Sequence, residues 1–348
     1  MTFSANASIR VGLVGYGMAG KVFHAPLIRV TPGLELAAVV SRDPAKVHAD
    51  LPGVHVMPDL DTLLADPAID LVVIATPDAL HAPQARAALE AGKHVIIDKP
   101  FALTLADAQA VATLAAARGL LLSVFQNRRW DADFLTLRRL IAEEMLGEVM
   151  QYESHFDRFR PLVADRWRER PGAGILLDLG PHLVDQALVL FGMPATIAAD
   201  IGIQRRGGLA PDYCHLVLGY ARLRVILHAS QVIPDASLRF AVHGTRGSFV
   251  KRGLDPQEAA SKAGTLPGSK GWGLDPIPAT LTRVADDQTM AATELVCDRG
   301  DYPAFYAGVA AAIRGEAANP VPPEQALAVM KVLEMAQESA AEGRTVRV

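Results

Sequence analysis

A chain of 348 residues is too long for one ordinary hydrophobic core, which points to two domains. Half of the residues are hydrophobic and 21% are charged, a globular balance, and a net charge of -4 offers no broad basic field to nucleic acid. The two cysteines, Cys214 and Cys297, are too few and too far apart for a disulfide framework.

The opening segment is polar and lacks the apolar core of a signal peptide, and no apolar run has bilayer-spanning length. A cytoplasmic protein without a membrane partner is therefore expected. From there the chain reads as short β-branched runs alternating with helical patterns. Ile9–Val14 is a predicted strand, 18–30 a helix and Leu34–Val40 a strand. A short helix over 59–66 stops before Pro67, and strands follow at 69–76 and 94–98 around a helix over 80–91. Thr104 with Asp107 makes a capping pattern for the helix Leu105–Arg118, and a strand over 120–125 closes the set. This alternation predicts a parallel sheet with helices on both faces, and its continuously apolar strands fit burial on both sides.

The pattern changes near Arg128. A helix over 131–146 is followed by period-two segments at 149–158, 213–220, 223–231 and 238–242, which predict a mostly antiparallel sheet. Residues 254–292 are rich in Gly, Pro and charge and read as a long loop. Pro323–Glu342 reads as an amphipathic helix ended by Gly343. The expected division is 1–128 and 129–348. Trp130 and Trp272 read as core or interface residues, and His24 and His155 as structural or peripheral.

Chemistry-bearing motifs sit on this frame. Gly15-Tyr16-Gly17-Met18-Ala19-Gly20 follows the first strand and opens the first helix, the arrangement of a dinucleotide-binding Rossmann turn. Gly15 permits the tight turn, Gly17 admits a pyrophosphate and Gly20 lets helix pack on strand, with phosphate at the positive helix end. The second strand ends in Ser41-Arg42, a hydroxyl and a guanidinium suited to a 2′-phosphate, so NADP is the expected cofactor and NAD the possible one. The alternative is a solvated Arg42 with Asp43 on the ribose. Thr76, Pro77 and His81 follow the next strand on the cofactor edge, where His81 either meets the cofactor or caps local backbone. Asp98-Lys99-Pro100 ends a further strand on that edge, and a lysine there can stabilise a developing alkoxide.

The second constellation is Asp178, His182 and Asp185, at i, i+4 and i+7. On a helix they share one face, with an imidazole between two carboxylates, as a tuned general base requires. Pro181 means that the helix either starts there or is kinked there. The competing reading is a surface salt-bridge cluster. No metal-ligand cluster is legible, and no metal is expected.

Taken together, the GxGxxG turn, the strand-end Lys99-Pro100 and DxGxHxxD over 178–185 resemble the Gfo/Idh/MocA oxidoreductase family. GYGMAGKVFHAPLI, QNRRWDADF, FDRFRP, RWRE and DLGPHLVDQALVLFGMP are similar to its NADP-dependent scyllo-inositol dehydrogenase branch. The family motif has Glu before the lysine, where this chain has Asp98. The resemblance implies an α/β chain, a doubly wound Rossmann sheet followed by an α+β domain with a large mostly antiparallel sheet. It implies Lys99 on substrate and nicotinamide ribose, His182 as general base, Asp178 on substrate hydroxyls, Asp185 orienting His182 and Asn127 near the nicotinamide. Arg160, Trp167 and Arg168 are candidate substrate or cofactor contacts. A polyol or sugar is the implied small-molecule substrate, and a homo-oligomer the implied assembly. A cofactor-sensing regulator without chemistry, or a reductase of another cyclic carbonyl, is the alternative.

Overall fold

The structure is a computed structural model and describes residues 7–165, 169–235 and 237–348. Its first sheet grows from β1 (Ile9–Val14), a helical segment over 18–30 whose second half is α1 (Ala25–Val30), β2 (Leu34–Val40), α2 (Pro44–Asp50) and β3 (His55–Met57). α3 (Leu60–Ala65), β4 (Leu71–Ile74), α4 (His81–Glu90), β5 (His94–Ile97), α5 (Leu105–Arg118) and β6 (Leu122–Val124) complete it. The six strands are parallel in the order β3-β2-β1-β4-β5-β6. The order reverses beside β1, so the loops after β1 and β4 diverge at their carboxyl ends and leave a crevice, the usual place for a nucleotide. β4 is buried along its whole length, as a central parallel strand should be.

The second sheet is built from β7 (Val149–His155), β8 (Thr196–Gly202), β9 (Tyr213–Gly219), β10 (Arg224–Ser230), β11 (Leu238–Gly244), β12 (Gly247–Arg252), β13 (Ala279–Val284), β14 (Met290–Leu295) and β15 (Val346–Arg347). Their order is β14-β13-β12-β11-β7-β10-β9-β8-β15, antiparallel except for the parallel pair β7 and β10. α6 (Ala132–Ala142) and α7 (Ile175–Phe191) belong with this sheet, as does most of α10 (Pro323–Glu342). The core between α7, α10 and the sheet includes Leu179, Leu183, Leu333, Leu216, Leu227 and Phe240. β9 alternates strictly: Cys214, Leu216 and Leu218 are buried, while Tyr213, His215 and Val217 are half-exposed on the other face.

The expected α/β class, a parallel doubly wound sheet plus a large mostly antiparallel one, is what the chain forms. By packing, one compact unit holds residues 1–130, 257–272 and 301–327, and the other holds 131–256, 273–300 and 328–348. The expected division at 128/129 thus differs in two later segments. α8 (Gln257–Lys262) and α9 (Pro303–Arg314) lie in the first unit, where Phe305 meets Phe125 edge-on at 5.0 Å. Trp272 is buried there, its indole N–H donating to Gln257 at 3.0 Å.

One expectation needs correction, and one open alternative is decided. Residues 254–292 are not a featureless loop, because they hold α8, β13 and the start of β14. β14 is exposed at five of its six positions, so it carries little apolar signal, and its order comes from pairing with β13. Of the two alternatives for Pro181, the one in which the helix starts there is excluded. The helix runs from Ile175 with Pro181 inside, and tertiary packing offsets the hydrogen bond that proline cannot donate.

Candidate active site

In the first unit, β1 delivers the chain to Gly15, whose φ of +98° is strained for any residue with a Cβ. A Cβ there would also sit 2.6 Å from the carbonyl oxygen of Ala75, and one on Gly20 would collide with the Gly15 carbonyl. Gly17 is different: a Cβ would meet nothing within 4 Å, so its backbone lies open beside the helix start. Two glycines shape the turn and the third leaves room, the form that a pyrophosphate cradle takes. Tyr16 is buried; its hydroxyl lies 3.4 Å from Asp50, and its pKa is pushed up to about 12 by burial and by the Asp50 charge. It anchors the turn from behind, while Met18 stands half-exposed on the open side.

At the tip of β2, Ser41 and Asp43 fold onto each other, the Ser41 hydroxyl oxygen accepting from the Asp43 N–H at 3.1 Å. The Asp43 carboxylate accepts from the Lys46 N–H at 3.0 Å and caps α2. Arg42 is exposed between them.

The loop after β4 is braced internally. The Thr76 hydroxyl donates to Gln84 at 2.7 Å, and the two ring nitrogens of the buried His81 lie 2.7 Å and 2.9 Å from the carbonyls of Pro100 and Thr76. Of the two roles open to His81, the structure places its nitrogens on backbone. It ties the β4 loop to the loop that carries Lys99. Of its two readings this is the backbone cap, and Pro77 is exposed beside it.

Lys99 follows β5, half-buried, with its N–H donating to Asp98 at 2.8 Å and a cis peptide to Pro100. Burial would raise the Asp98 carboxyl, but the imidazole of His24, then Lys99 and His81, hold it below the usual carboxylate range. His24 is fully buried, with Nδ1 2.6 Å from the Tyr306 hydroxyl and Nε2 3.9 Å from Asp98. It is a structural residue, as expected, but one placed directly behind the Asp98-Lys99 corner. Asn127 is buried in the turn after β6, which is held by an Arg128–Glu258 ion pair and by Arg129 donating to Gln325 at 2.6 Å.

In the second unit, α7 carries Asp178, His182 and Asp185 on one face. Exposure falls along the row: Asp178 is half-exposed, His182 is 7% exposed and Asp185 2%. A salt-bridge cluster on a solvated surface would not be buried in this way. The helix is fixed from below by Arg239, which is fully buried. It donates to Gln186 and to Ser154, each at 2.6 Å, lies 3.4 Å from Asp133, and stacks on Phe156 and Phe240 at 4.1 Å and 3.9 Å. Phe156 also meets the His182 ring edge-on at 6.3 Å.

Asp178 opens onto a small, solvent-open recess that it shares with Arg160, Glu169, Arg205 and Gln231. Arg205 is buried and pairs with Asp212 at 2.8 Å and Glu169 at 2.5 Å, which pins the segment bearing Arg160 to the sheet. The structure therefore brings Arg160 to Asp178. Trp167 and Arg168 lie outside the described residues. Arg205, Glu169 and Arg239 had no motif to announce them.

No metal-ligand cluster is legible in the sequence, yet the fold gathers one candidate group. Among the described residues His155, Asp157 and His228 place ligand atoms within 4.8 Å of one another. Residue spacing hides this group because His228 lies on β10 and the other two on the segment of β7.

Comparison with known proteins bears on all of this. Residues 9–126 match the model of an oxidoreductase family's NAD-binding Rossmann fold, and residues 138–348 match that family's C-terminal alpha/beta domain. The chain belongs to the Gfo/Idh/MocA oxidoreductase family. The Gfo/Idh/MocA chain is 52% identical to the oxidoreductase YdgJ of Escherichia coli strain K12, over 96% of each chain. It is 39% identical to the scyllo-inositol 2-dehydrogenase (NADP(+)) IolW of Bacillus subtilis, over 97% of this chain and 96% of that one. Its fold superposes on the solved YPO2259 structure from Yersinia pestis with a TM-score of 0.96, at 50% identity and covering 99% and 98% of the two chains. The Rossmann match takes in the glycine turn, the β2 tip and Lys99; the C-terminal match takes in all of α7. This Gfo/Idh/MocA member is an oxidoreductase with an NAD-binding domain.

Proposed function

We propose that the chain is an NADP(H)-dependent dehydrogenase that oxidises a secondary alcohol of a cyclic polyol or sugar, scyllo-inositol foremost, to the ketone, or runs the reverse. The observation that carries this reading is the row on α7, where a buried imidazole lies between two carboxylates and Asp178 opens onto a recess also lined by Arg160. The similarity to an inositol dehydrogenase whose name includes NADP supports the choice of substrate class and nucleotide.

The glycine cradle and the exposed Arg42 fit a dinucleotide with a 2′-phosphate, which supplies a hydride acceptor when bound. His182 takes the proton of the substrate hydroxyl as the C–H bond opens, and returns it in the reverse reaction. Asp185, one turn deeper on the same helix, fixes the imidazole's orientation and stabilises its charged form. Lys99 donates a hydrogen bond to the substrate oxygen while that oxygen gains or loses charge. Asp178 and Arg160 hold neighbouring hydroxyls. Such groups cost free energy when desolvated without partners, so a ligand with several hydroxyls satisfies what a simple alcohol cannot.

Steady-state kinetics with NADP⁺ over inositol isomers, glucose epimers and cyclohexanol test this. A site built to bond hydroxyls should prefer the polyol by several orders of magnitude in kcat/KM. Asp178→Ala should narrow that preference as well as slow the reaction. Equal efficiency on cyclohexanol, or activity confined to an apolar carbonyl, would overturn the proposal.

A further inference from the structure

The nine-stranded sheet has a second face, turned away from α7, on which α7 plays no part. Its half-exposed residues include a row of histidines that adjacent strands bring side by side. His155 on β7 pairs with His228 on β10, and His228 pairs with His215 on β9. Asp157 continues the alternation beyond β7. The Phe156 N–H donates to the His228 carbonyl at 2.9 Å and the Arg158 N–H to the Ser230 carbonyl at 2.8 Å, so the parallel ladder persists. Phe156 is buried toward His182, and His155 and Asp157 on either side of it point to the opposite face.

From this arrangement we infer that His155, Asp157 and His228 form a binding site for a divalent first-row transition-metal ion, with zinc the best match.

Four observations carry the inference. The donor set is two imidazoles and one carboxylate, the kind that takes zinc with an open fourth position. The spacing suits it. Oδ2 of Asp157 lies 2.9 Å from Nδ1 of His155 and its Oδ1 3.4 Å from Nε2 of His228, with one ligand atom of each residue within 4.8 Å of the others, and ligands around a tetrahedral zinc stand about 3.3 Å apart. The outer nitrogens are already held. Nε2 of His155 lies 2.9 Å from Glu153, and Nδ1 of His228 lies 3.3 Å from Nδ1 of His215, which orients both rings as metal-bound histidines are oriented. Finally, Asp157 is only 8% exposed, and its Oδ1 makes no hydrogen bond among the described residues although it faces His228. A carboxylate oxygen buried without a hydrogen-bond donor is costly, and a cation between Asp157 and His228 would satisfy it.

The ion would clamp β7 to β10, the parallel pair of the sheet, on the reverse side of the strand segment that supports His182. The inference rests on this geometry alone and not on the proposed reaction. The test is calorimetric titration of the chelator-treated full chain with Zn²⁺, Co²⁺ and Mg²⁺, followed by thermal melts with and without Zn²⁺. We expect one Zn²⁺ per chain, no comparable uptake of Mg²⁺, and a raised Tm in the presence of Zn²⁺. Bound Co²⁺ should show the intense visible absorption of a tetrahedral site. His228→Gln and Asp157→Asn should each abolish the Tm rise and the Co²⁺ spectrum. Glu153→Gln, which leaves all three ligands in place, should weaken Zn²⁺ binding about 10- to 100-fold. Should a ligand variant fail to fold, the Glu153→Gln shift and the wild-type Co²⁺ spectrum still decide. No Zn²⁺ uptake by the wild type, uptake unchanged in the variants, or Mg²⁺ bound as tightly as Zn²⁺ would each overturn the assignment.

Discussion

The Asp43 carboxylate accepts a hydrogen bond from the backbone N–H of Lys46, 3.0 Å away, and so caps α2 instead of reaching outward from the tip of β2. Arg42 stands exposed beside it. A guanidinium contact to a 2′-phosphate contributes roughly 1.5–3 kcal/mol, about ten- to a hundredfold in affinity. Arg42→Ala should therefore raise the KM for NADP⁺ by about that factor and leave NAD⁺ almost unaffected. Asp43→Ala should lower stability by about 1 kcal/mol through the lost cap, with no change in nucleotide preference. A wild-type preference for NAD⁺, or a ratio untouched by Arg42→Ala, contradicts the assignment of Arg42.

His182 is a buried imidazole placed between carboxylates on one helix face. His182→Ala should reduce kcat by roughly two to four orders of magnitude, the scale of a lost positioned acid/base. NADPH binding, followed by fluorescence titration, should persist, because the nucleotide elements lie on β1, β2 and their loops. Near-normal turnover would remove His182 from the chemistry. Lys99→Met should also lower kcat; an effect on NADPH affinity alone would make Lys99 a nucleotide residue.

Arg239 is a stability determinant with no exposed surface. It serves Gln186 and Ser154 at once and lies 3.4 Å from the fully buried Asp133. Removing one partner of a buried pair strands the other, which costs about 3–5 kcal/mol. Arg239→Met should show that loss in urea unfolding, and lower activity further by loosening α7 behind His182. A loss below about 1 kcal/mol would mean that Asp133 does not depend on this guanidinium.

His94 gives the fold a pH-dependent component. Its Nδ1 accepts from the Leu121 N–H at 2.9 Å, and burial lowers its pKa from the ordinary 6.5 against a smaller opposing effect of Asp70. The unfolded chain then binds a proton that the folded chain resists. Stability should be full above about pH 6.5 and fall as the pH drops from there toward the depressed folded value. In His94→Gln, whose side-chain oxygen can still accept a hydrogen bond, Tm between pH 7.5 and 5.5 should fall less than in the wild type. Equal slopes for the two proteins would exclude His94 as the source.

Much of the first unit is legible because local and tertiary preferences agree there. Ile9–Val14, Leu34–Val40 and Leu105–Arg118 have the expected bounds, and Thr104 caps α5 by accepting from the Asp107 N–H. Their strands are apolar except for Arg10 and Glu35, which pair with each other across β1 and β2, a pattern that a sheet covered on both faces imposes. α2 and β3 escaped notice: α2 is exposed at most positions and β3 is three residues long, so neither carries much periodicity. β13 and β14 escaped for a related reason. They lie at one edge of the second sheet, where pairing replaces burial as the source of order.

The row on α7 is likewise a sequence-level fact, since i, i+4 and i+7 share a face of any helix that passes through Pro181. Whether the helix does so was open, because proline's local cost of about 3 kcal/mol argues against it. Packing of Gly180 against Leu176 and Leu333 and the brace from Arg239 settle the matter in favour of a continuous helix.

Family, fold class and the main polar motifs were thus determined by the sequence, because each depends on residues close together in the chain. Tertiary structure alone decided two things. His81 spans two loops to the Pro100 carbonyl, and His155, Asp157 and His228 meet across paired strands. The reason is physical: a side chain's partner is chosen by register and burial, and these join residues whose separation along the chain carries no trace of the contact.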